Sequence, residues 1–320
     1  MKRLFIAACS LLSILSAGAL AQEASEAELR AKLLDQNAKG AERMDAAYKL
    51  SKQQTLSDET VAALISVVQD RSDPKAMQFV RQNAVDALRR HPKEGKKALP
   101  ALLDVLGKDT DKEMGYLRYR TLLALIDIAP EDDASYAAFL QAVDDSESAP
   151  RQIGVRGLAL APQRVKEFLP KLKARATDEN AQVRAEAAKT LEELCVKGKA
   201  DEVVTLLPEI VALLDDKENS VAGAATYVVR GLAERGKDVS SALPGLAKLL
   251  EHENGLPRKG AIRAIGVIGP KAAPLVPKLV ALLEHKDYFV RSSAISALRK
   301  IGTPEAVEAV KNAKAKQPAE

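Results

Sequence analysis

Tryptophan is absent from this chain of 320 residues, and all aromatic residues together make up only 3% of it. Large side chains that could fill a thick globular core are therefore scarce, and Ala, Leu and Val must supply most of the buried surface. Small apolar residues let neighbouring helices approach closely. The composition favours thin layers of paired helices over a single thick core.

Cysteine is also nearly absent, with Cys9 and Cys195 as the only two residues of this type. Cys9 falls in the N-terminal segment described next, so no internal disulfide is expected in the rest of the chain. We interpret Cys195 as a small buried apolar residue. A reactive thiol would need a basic residue or a histidine beside it, and the sequence shows none.

The N-terminal segment 1–21 has the pattern of a secretory signal peptide. Lys2 and Arg3 precede an apolar run over positions 4–20, and Ala19-Leu20-Ala21 predicts cleavage before Gln22. A retained membrane anchor is the alternative, but the run is short for a span and contains Ser and Gly. We therefore expect a periplasmic or secreted protein, with no stable membrane insertion after cleavage.

Neither sign of charge dominates the remainder of the chain. Without the signal, 46 Lys and Arg face 44 Asp and Glu, which leaves a net charge of +2. A nearly neutral surface argues against nucleic acid as the partner, because polyanion binding depends on many uncompensated cations.

The sequence contains a tandem repeat, which is clearest between positions 255 and 302. Pro257–Ile265 and Val290–Leu298 can be superimposed so that Arg, Ala, Ala and an aliphatic residue coincide. The same signature recurs toward the N-terminus at nearly constant intervals. We call its first position the marker, and the eight markers are Arg43, Arg81, Arg118, Arg151, Arg184, Ala222, Arg258 and Arg291.

A second feature has the same period. A proline precedes four of the markers, always by the same number of positions, at Pro170, Pro208, Pro244 and Pro277. Proline is accepted in the first turn of a helix, where no backbone hydrogen bond is lost. Each repeat is therefore predicted to contain a helix A that starts near the proline, an acidic turn, and a helix B that starts near the marker.

These repeats resemble the HEAT repeat family, particularly its short bacterial form similar to phycobilin-lyase-type HEAT modules. The stretches VRSSAISALRKIG (290–302) and IGPKAAPLVPKLVALLEHKD (268–287) carry the likeness. The resemblance implies an all-α fold, a right-handed α-solenoid of about eight helix pairs whose B helices line a concave face. We expect the solenoid over residues 22–314 and a disordered tail over 315–320.

The recurring arginine is expected to have a structural role. A cation in the first turn of a helix is unfavourable against the helix dipole, so it needs acceptors. Acids such as Asp145, Asp178 and Asp287 precede the markers closely. We expect each arginine to bridge its own turn acid and that of the next repeat. The predicted ladder consists of Arg81, Arg118, Arg151, Arg184, Arg258 and Arg291, and Ala222 interrupts it.

Side chains at the fifth position after each marker should point into the concave face. Tyrosine and arginine are frequent there, and both are common in protein interfaces. The predicted row is Tyr48, Asp86, Leu123, Arg156, Lys189, Tyr227, Arg263 and Ser296, with Tyr116, Tyr119, Arg120 and Arg230 nearby. The predicted partner-binding residues are Tyr48, Asp86, Tyr119, Arg120, Arg156, Lys189, Tyr227, Arg230 and Arg263.

Patterns typical of catalysis and metal binding are mostly missing. His252 and His285 end helix A in consecutive repeats, but stacked surface positions rarely converge on a metal ion. Residues 109–113 resemble the start of a calcium loop, but Met114 stands where that loop needs glycine. We predict no catalytic residue, no metal site and no cofactor.

Three functions are compatible with these observations. The leading hypothesis is an exported, non-enzymatic scaffold that binds a protein or peptide through its concave face. The alternative, implied only by the family resemblance, is a lyase-like module that handles a pigment or another cofactor. Nucleic-acid binding occurs in similar folds, but the predicted export and the small net charge oppose it.

Overall fold

The computed structural model describes residues 24–315, so the predicted signal peptide and residues 316–320 lie outside it. Every regular element in the described range is helical, which confirms the all-α class. The helices form two compact units. The first unit ends at Gly95 and the second begins at Lys96.

The first unit contains two helix pairs and one short helix. Side chains cap the starts of three helices, because Ser25, Ser57 and Asp73 each accept hydrogen bonds from backbone N–H groups of the first turn. The helices are α1 (Glu26–Leu34), α2 (Gly40–Leu50), α3 (Asp58–Gln69), α4 (Pro74–Arg90) and α5 (Pro92–Gly95).

The second unit contains six helix pairs, the short helix α12 and the final helix α19. Each pair is one repeat of the predicted type. The helices are α6 (Leu99–Lys108), α7 (Gly115–Ile128), α8 (Asp133–Ala142), α9 (Ser148–Leu158), α10 (Val165–Arg175), α11 (Ala181–Val196), α12 (Ala200–Val203), α13 (Leu207–Leu213), α14 (Asn219–Glu234), α15 (Leu243–Leu249), α16 (Gly255–Ile268), α17 (Val276–Ala281), α18 (Tyr288–Ile301) and α19 (Pro304–Ala315).

The marker spacing correctly predicts where the B helices begin. These helices are α2, α4, α7, α9, α11, α14, α16 and α18, and each contains one marker. The marker is the fourth residue of its helix everywhere except in α4, which starts one turn earlier at Pro74. The eight predicted helix pairs are therefore present within residues 24–315.

Three of the four marker-related prolines lie at the second position of helix A. Pro208, Pro244 and Pro277 follow a short 3-10 turn, and the α-helix starts one residue before each of them. Pro170 differs, because it is the sixth residue of α10. Proline fits the second helical position because the N–H that it lacks would have no intrahelical acceptor there.

The core consists of thin layers in which glycine allows close contact between helices. Phe139 of α8 is 1% exposed, and a Cβ atom added to Gly157 of α9 would lie only 2.3 Å from its ring. A Cβ at Gly154 would approach the backbone nitrogen of Val143 to 2.7 Å. Larger side chains at these two positions would force the helices of this repeat apart.

The stretch Gly255–Glu284 is apolar because it contributes several side chains to the core. An 18-residue window within it has a mean hydropathy of 1.4, and by that value and its length the stretch would suffice for a membrane span. Within it, α16 ends at Ile268, because the following Gly269 has a φ of 70° that interrupts the helix, and a 3-10 segment leads to α17. Ile262, Ile265 and Leu279 from this stretch are fully buried in the core.

Three arginines of the second unit connect consecutive repeats. In each, Nε and Nη2 donate to the two carboxylate oxygens of an aspartate in the turn of the next repeat, over 2.7 to 2.9 Å. Such bidentate pairs fix both distance and orientation. The pairs are Arg118 with Asp145, Arg151 with Asp178, and Arg184 with Asp216.

The remaining guanidinium nitrogen, Nη1, binds the turn of the arginine's own repeat. Its acceptors are backbone carbonyl oxygens at 2.7 to 3.2 Å. The expectation that each arginine binds the side chain of its own turn acid is therefore wrong. Carbonyl groups beyond the end of helix A have no intrahelical donor, and the arginine supplies one.

Asp178 shows how one turn residue serves both neighbours. Its carboxylate receives Arg151 of the preceding repeat, and its carbonyl oxygen accepts from Nη1 of Arg184 at 2.8 Å. Its Oδ1 also accepts from the backbone N–H of Asn180 at 2.9 Å, which closes the turn. Asp145 has the same three contacts. Both aspartates lie six positions before a marker.

The bidentate pairs end at Asp216 because histidine occupies the corresponding position in the next two repeats. Nδ1 of His252 and of His285 closes its turn by accepting a backbone N–H at 3.0 Å, as the aspartates do. An imidazole cannot accept two parallel bonds from a guanidinium. Ala222 is the marker that precedes His252, so both members of that pair are replaced together.

Arg258 and Arg291 therefore depart from the predicted ladder. Each still donates to a carbonyl of its own turn, at 2.8 and 2.7 Å. Nε of Arg258 is buried without a hydrogen-bond partner, and His285 stands where an aspartate would complete the pair. Within residues 24–315, neither arginine has a carboxylate partner.

In the first unit the marker arginines bind the end of helix A. Nε of Arg81 donates to the carbonyl oxygen of Val68 at 2.8 Å, and Nε of Arg43 donates to that of Leu33 at 2.9 Å. Arg81 is 0% exposed. Both positions thus have a structural role in which a backbone oxygen at the end of helix A is one of the acceptors.

Replacing Asp178 with Asn should destabilise the protein by about 3 kcal/mol, because the buried guanidinium of Arg151 then keeps only the exposed carboxylate of Glu179, 3.3 Å away, as its counter-charge. The matched control is D144N, which breaks an exposed pair with Lys171 and should cost less than about 1 kcal/mol. Urea unfolding measures both values. Equal losses in the two variants would contradict a special role for the buried pair.

Acidification should remove the stabilisation that the ion pair between Arg151 and Asp178 contributes. Burial opposes ionisation of Asp178, but the Arg151 side chain and the Asn180 backbone N–H outweigh it, and the pKa of Asp178 is lowered. Stability from a lowered carboxylate pKa is fully present above about pH 4 and is lost as pH falls through the folded-state value. The stability difference between the native chain and D178N should therefore shrink below about pH 4, as urea titrations at several pH values can show.

Restoring an aspartate at position 285 should stabilise the chain. In H285D the new carboxylate can close the turn and also bind Arg258, which we expect to add about 1 kcal/mol. H252D is the matched control, because its preceding marker is Ala222 and offers no guanidinium. If both variants shift the urea midpoint equally, the proposed pairing is wrong.

Candidate functional site

The B helices of the second unit form one continuous face. Each of α7, α9, α11, α14, α16 and α18 packs along the next one, whereas neighbouring A helices meet at few points. We call this surface the B-helix face.

The predicted row of side chains lies on this face. Arg156, Lys189 and Arg263 are exposed, and Tyr227 is half-buried between them. They come from α9, α11, α16 and α14 respectively, at the fifth position after the marker. The repeat period therefore brings residues far apart in sequence onto one surface.

Arg230 lies beside this row and already has partners. Its guanidinium is 3.8 Å from Glu192 and 3.5 Å from Glu234, and it lies 4.9 Å from the ring centre of Tyr227. These contacts hold the tyrosine ring against α14. Arg230 therefore positions Tyr227, and less of its charge is available to a partner.

The cations of the row differ in how far they are neutralised. Lys189 has Glu186 at 3.7 Å, and Gln152 also donates to that carboxylate at 3.3 Å. Arg156 and Arg263 make no ion pair with any residue in the range 24–315. Both are exposed, so their guanidinium groups can accept a partner's carboxylates without breaking an internal contact.

A shallow depression of about 280 Å³ marks the C-terminal part of the face. It is lined by Arg230 and Glu234 of α14, Arg263 of α16, and Ser296 and Lys300 of α18, among others. Charged side chains form a large part of this lining, and the depression is wide open. The shape suits a chain that lies across the helices better than an enclosed small molecule.

Tyr119 and Arg120 lie at the start of α7 in an aromatic cluster. The rings of Tyr116 and Tyr119 stack with 5.4 Å between their centres, and Nη2 of Arg120 donates to the Tyr116 hydroxyl at 2.9 Å. Burial lowers the pKa of Arg120. The stacked rings present a flat apolar surface at one end of the second unit's B helices.

Tyr48 and Asp86 belong to the first unit. Tyr48 of α2 is 52% exposed, and the Lys52 ammonium lies 5.1 Å from its ring centre. Asp86 of α4 is half-buried. They lie on α2 and α4, two neighbouring B helices of that unit.

Metal and thiol chemistry find little support in the described part of the chain. No group of three or more His, Cys, Asp or Glu residues converges on a metal position between residues 24 and 315. The rings of His252 and His285 are engaged in their turns. Burial raises the pKa of Cys195 to about 12, so this fully buried thiol is protonated and unreactive at neutral pH.

Several exposed aromatic residues were not predicted. Tyr288 and Phe289 begin α18 and are 62% and 67% exposed, and Lys259 lies 5.3 Å from the Phe289 ring centre. Phe79 of α4 is 56% exposed. The sequence alone could have indicated these residues. All three precede a marker by two or three positions, and few of the other repeats have an aromatic residue there.

An apolar groove of about 900 Å³ lies between the last three helices of the second unit. Val280 of α17, Ile295 of α18 and Ala309 of α19 line its floor, and Glu305 and Glu308 stand at its rim. It arises because α19 is a helix A without a helix B behind it among the described residues. The sequence pattern did not indicate this groove.

Comparison with known families and structures agrees with the geometry. Residues 243–320 match the model for HEAT repeats, and residues 151–268 match the model for the non-SMC mitotic condensation complex subunit 1. Together the two matches run over the second half of the chain. No curated protein matches the sequence.

Solved structures share the fold at low sequence identity. An engineered protein is 21% identical with a TM-score of 0.62, over 90% of this chain and 82% of that one. The Escherichia coli protein YibA is 18% identical with a TM-score of 0.63, over 87% and 92%. Kap95p, solved bound to RanGDP, is 14% identical with a TM-score of 0.61, over 86% of this chain and only 41% of its own.

Three observations therefore agree: helix pairs at the marker period, a family match that covers the last repeats, and solenoid relatives that align along most of the chain. Residues 243–320 match the HEAT repeat family, and the described helix pairs before them share its fold.

Proposed function

We propose that this protein is an exported, non-enzymatic scaffold that binds a protein or peptide partner through its B-helix face. The observation that carries the proposal is the row of Arg156, Lys189, Tyr227 and Arg263 across consecutive helices, in which two arginines lack an internal counter-charge. Tyrosine and arginine at the centre of a continuous surface are typical of protein interfaces.

The remaining surface chemistry supports binding over catalysis. Within residues 24–315 the only thiol is buried and protonated, and two of the three histidines close turns. A catalytic centre needs a nucleophile or base within hydrogen-bond reach of a reacting group. The B-helix face instead offers repeated cations with the ring of Tyr227 among them, over a length of several helices.

The relatives support a binding role by analogy. Kap95p, whose fold is similar, binds RanGDP. A stack of helix pairs offers a long surface to which each repeat adds one helix, so partner contacts are spread over many repeats. We expect affinity to arise in the same way here, from several weak contacts on successive helices.

The export part of the proposal rests on the N-terminal sequence. In the producing bacterium, the protein should be found in the envelope fraction with Gln22 as its first residue. N-terminal sequencing or intact mass measures this. A cytoplasmic protein that retains Met1 would contradict export but would leave the binding proposal in place.

A double variant tests the binding surface. Y227A/R263A should capture at least about fivefold less partner from an envelope extract than the native chain, because it removes two central contacts of about 0.5 kcal/mol or more each. K217A/K286A is the control, since both lysines are exposed in turns outside the face. Quantitative mass spectrometry measures capture, and thermal unfolding shows whether each variant is folded. Unchanged capture by a folded Y227A/R263A would refute the B-helix face as the binding surface.

A further inference from the structure

The row on the B-helix face carries charge of one sign only. Arg156, Lys189, Tyr227, Arg263 and Ser296 lie on α9, α11, α14, α16 and α18, and none of them is acidic. We call these five residues the basic row. All are exposed except Tyr227, which is half-buried.

The acids of the face lie beside the basic row and are paired. Glu192 and Glu234 contact Arg230, and Glu186 accepts from Gln152 as well as facing Lys189. The positive charge of Arg156 and Arg263 is therefore not cancelled, whereas that of Lys189 is partly compensated by Glu186. A partner that matches it must bring carboxylates to Arg156, Lys189 and Arg263, and a flat apolar group to Tyr227.

The spacing of the row selects the backbone conformation of that partner. Helices packed side by side lie about 9 Å apart, so successive members of the row are separated by about this distance. A polyproline II helix has three residues per turn and rises about 3.1 Å per residue, so it presents the same face every ~9 Å. A β-strand repeats a face every ~6.7 Å and an α-helix every ~5.4 Å, so neither presents one side chain every ~9 Å, and two helical turns, at ~10.8 Å, come nearest.

We propose that the basic row binds an acidic segment in the polyproline II conformation, laid across the B helices. Carboxylates at residues 1, 4 and 10 of the segment pair with Arg156, Lys189 and Arg263, and a proline at residue 7 packs on Tyr227. Aromatic side chains are the usual surface for proline in this conformation. This proposal rests on the function proposed above and specifies the chemistry of its partner.

The preformed helix also explains how a shallow face can bind. Exposed ion pairs are individually weak, and a flexible peptide would lose as much free energy on ordering as such a pair contributes. A proline-rich segment is already extended before it binds, so little ordering is required. The three weak ion pairs with Arg156, Lys189 and Arg263 can then form at once and add to the binding free energy.

Two labelled peptides of identical composition test the proposal. EPPEPPPPPE places glutamates at residues 1, 4 and 10, whereas EPEPEPPPPP places them at 1, 3 and 5. Fluorescence anisotropy with the purified chain at low salt gives both dissociation constants. The first peptide should bind about tenfold more tightly, because only it can satisfy all three cations at once.

Charge-reversal variants show whether binding occurs at the row. R156E/R263E should weaken binding of EPPEPPPPPE at least about tenfold. K217E/K286E changes the formal charge by the same amount in exposed turns, and it should leave the dissociation constant within about twofold, since distant exposed charges are screened. Equal affinity for the two peptides, or equal losses in the two variants, would overturn the inference.

The outcome also separates this inference from the proposed function. If Y227A/R263A loses partner capture but neither peptide binds, the B-helix face remains a docking surface and the acidic polyproline II partner is wrong. If capture is unchanged in that variant and neither peptide binds, both proposals fail. Tight binding of the first peptide that depends on Arg156 and Arg263 supports both.

Discussion

The contact on which the middle of this protein depends is a single guanidinium that joins two repeats. Arg151 donates with one edge to the carboxylate of Asp178 in the next repeat, and with Nη1 to the turn of its own repeat. Arginine is suited to this because its planar group carries five donors in a fixed arrangement. Burying both charges costs desolvation, so the net free energy is modest, but the geometry leaves only one register between neighbouring repeats.

Periodicity made most of the fold predictable from the sequence. The marker recurs at nearly constant intervals and lies on a B helix in every repeat, since a short helix pair can bury its apolar side only against the next pair. Which oxygen an arginine binds was not predictable, because it depends on backbone angles in the turn. The substitution of His285 for an aspartate was visible when the repeats are aligned, but its effect on Arg258 requires the three-dimensional contacts.

The candidate site was predictable to a lesser degree. The fifth residue after each marker faces one surface because all B helices share one register, and Arg156 and Arg263 follow that rule. The acids beside them could not be placed, since Glu186 and Glu192 meet their partners through side-chain geometry that the repeat pattern does not encode. The groove under α19 depends on where the stack lacks a further helix among the described residues, and the exposure of Phe289 depends on which residues surround it.

The change from aspartate to histidine gives the second unit two kinds of junction between repeats. Junctions from α7 to α13 are held by buried bidentate ion pairs that tolerate little change in angle, whereas those from α14 to α18 rest mainly on side-by-side contact of Ala, Ile and Gly. Helices approach so closely there that a Cβ atom added to Gly260 would lie 2.1 Å from Thr226 Oγ1. The angle between C-terminal repeats is therefore set by close packing of small residues, and a larger side chain at Gly260 would change it.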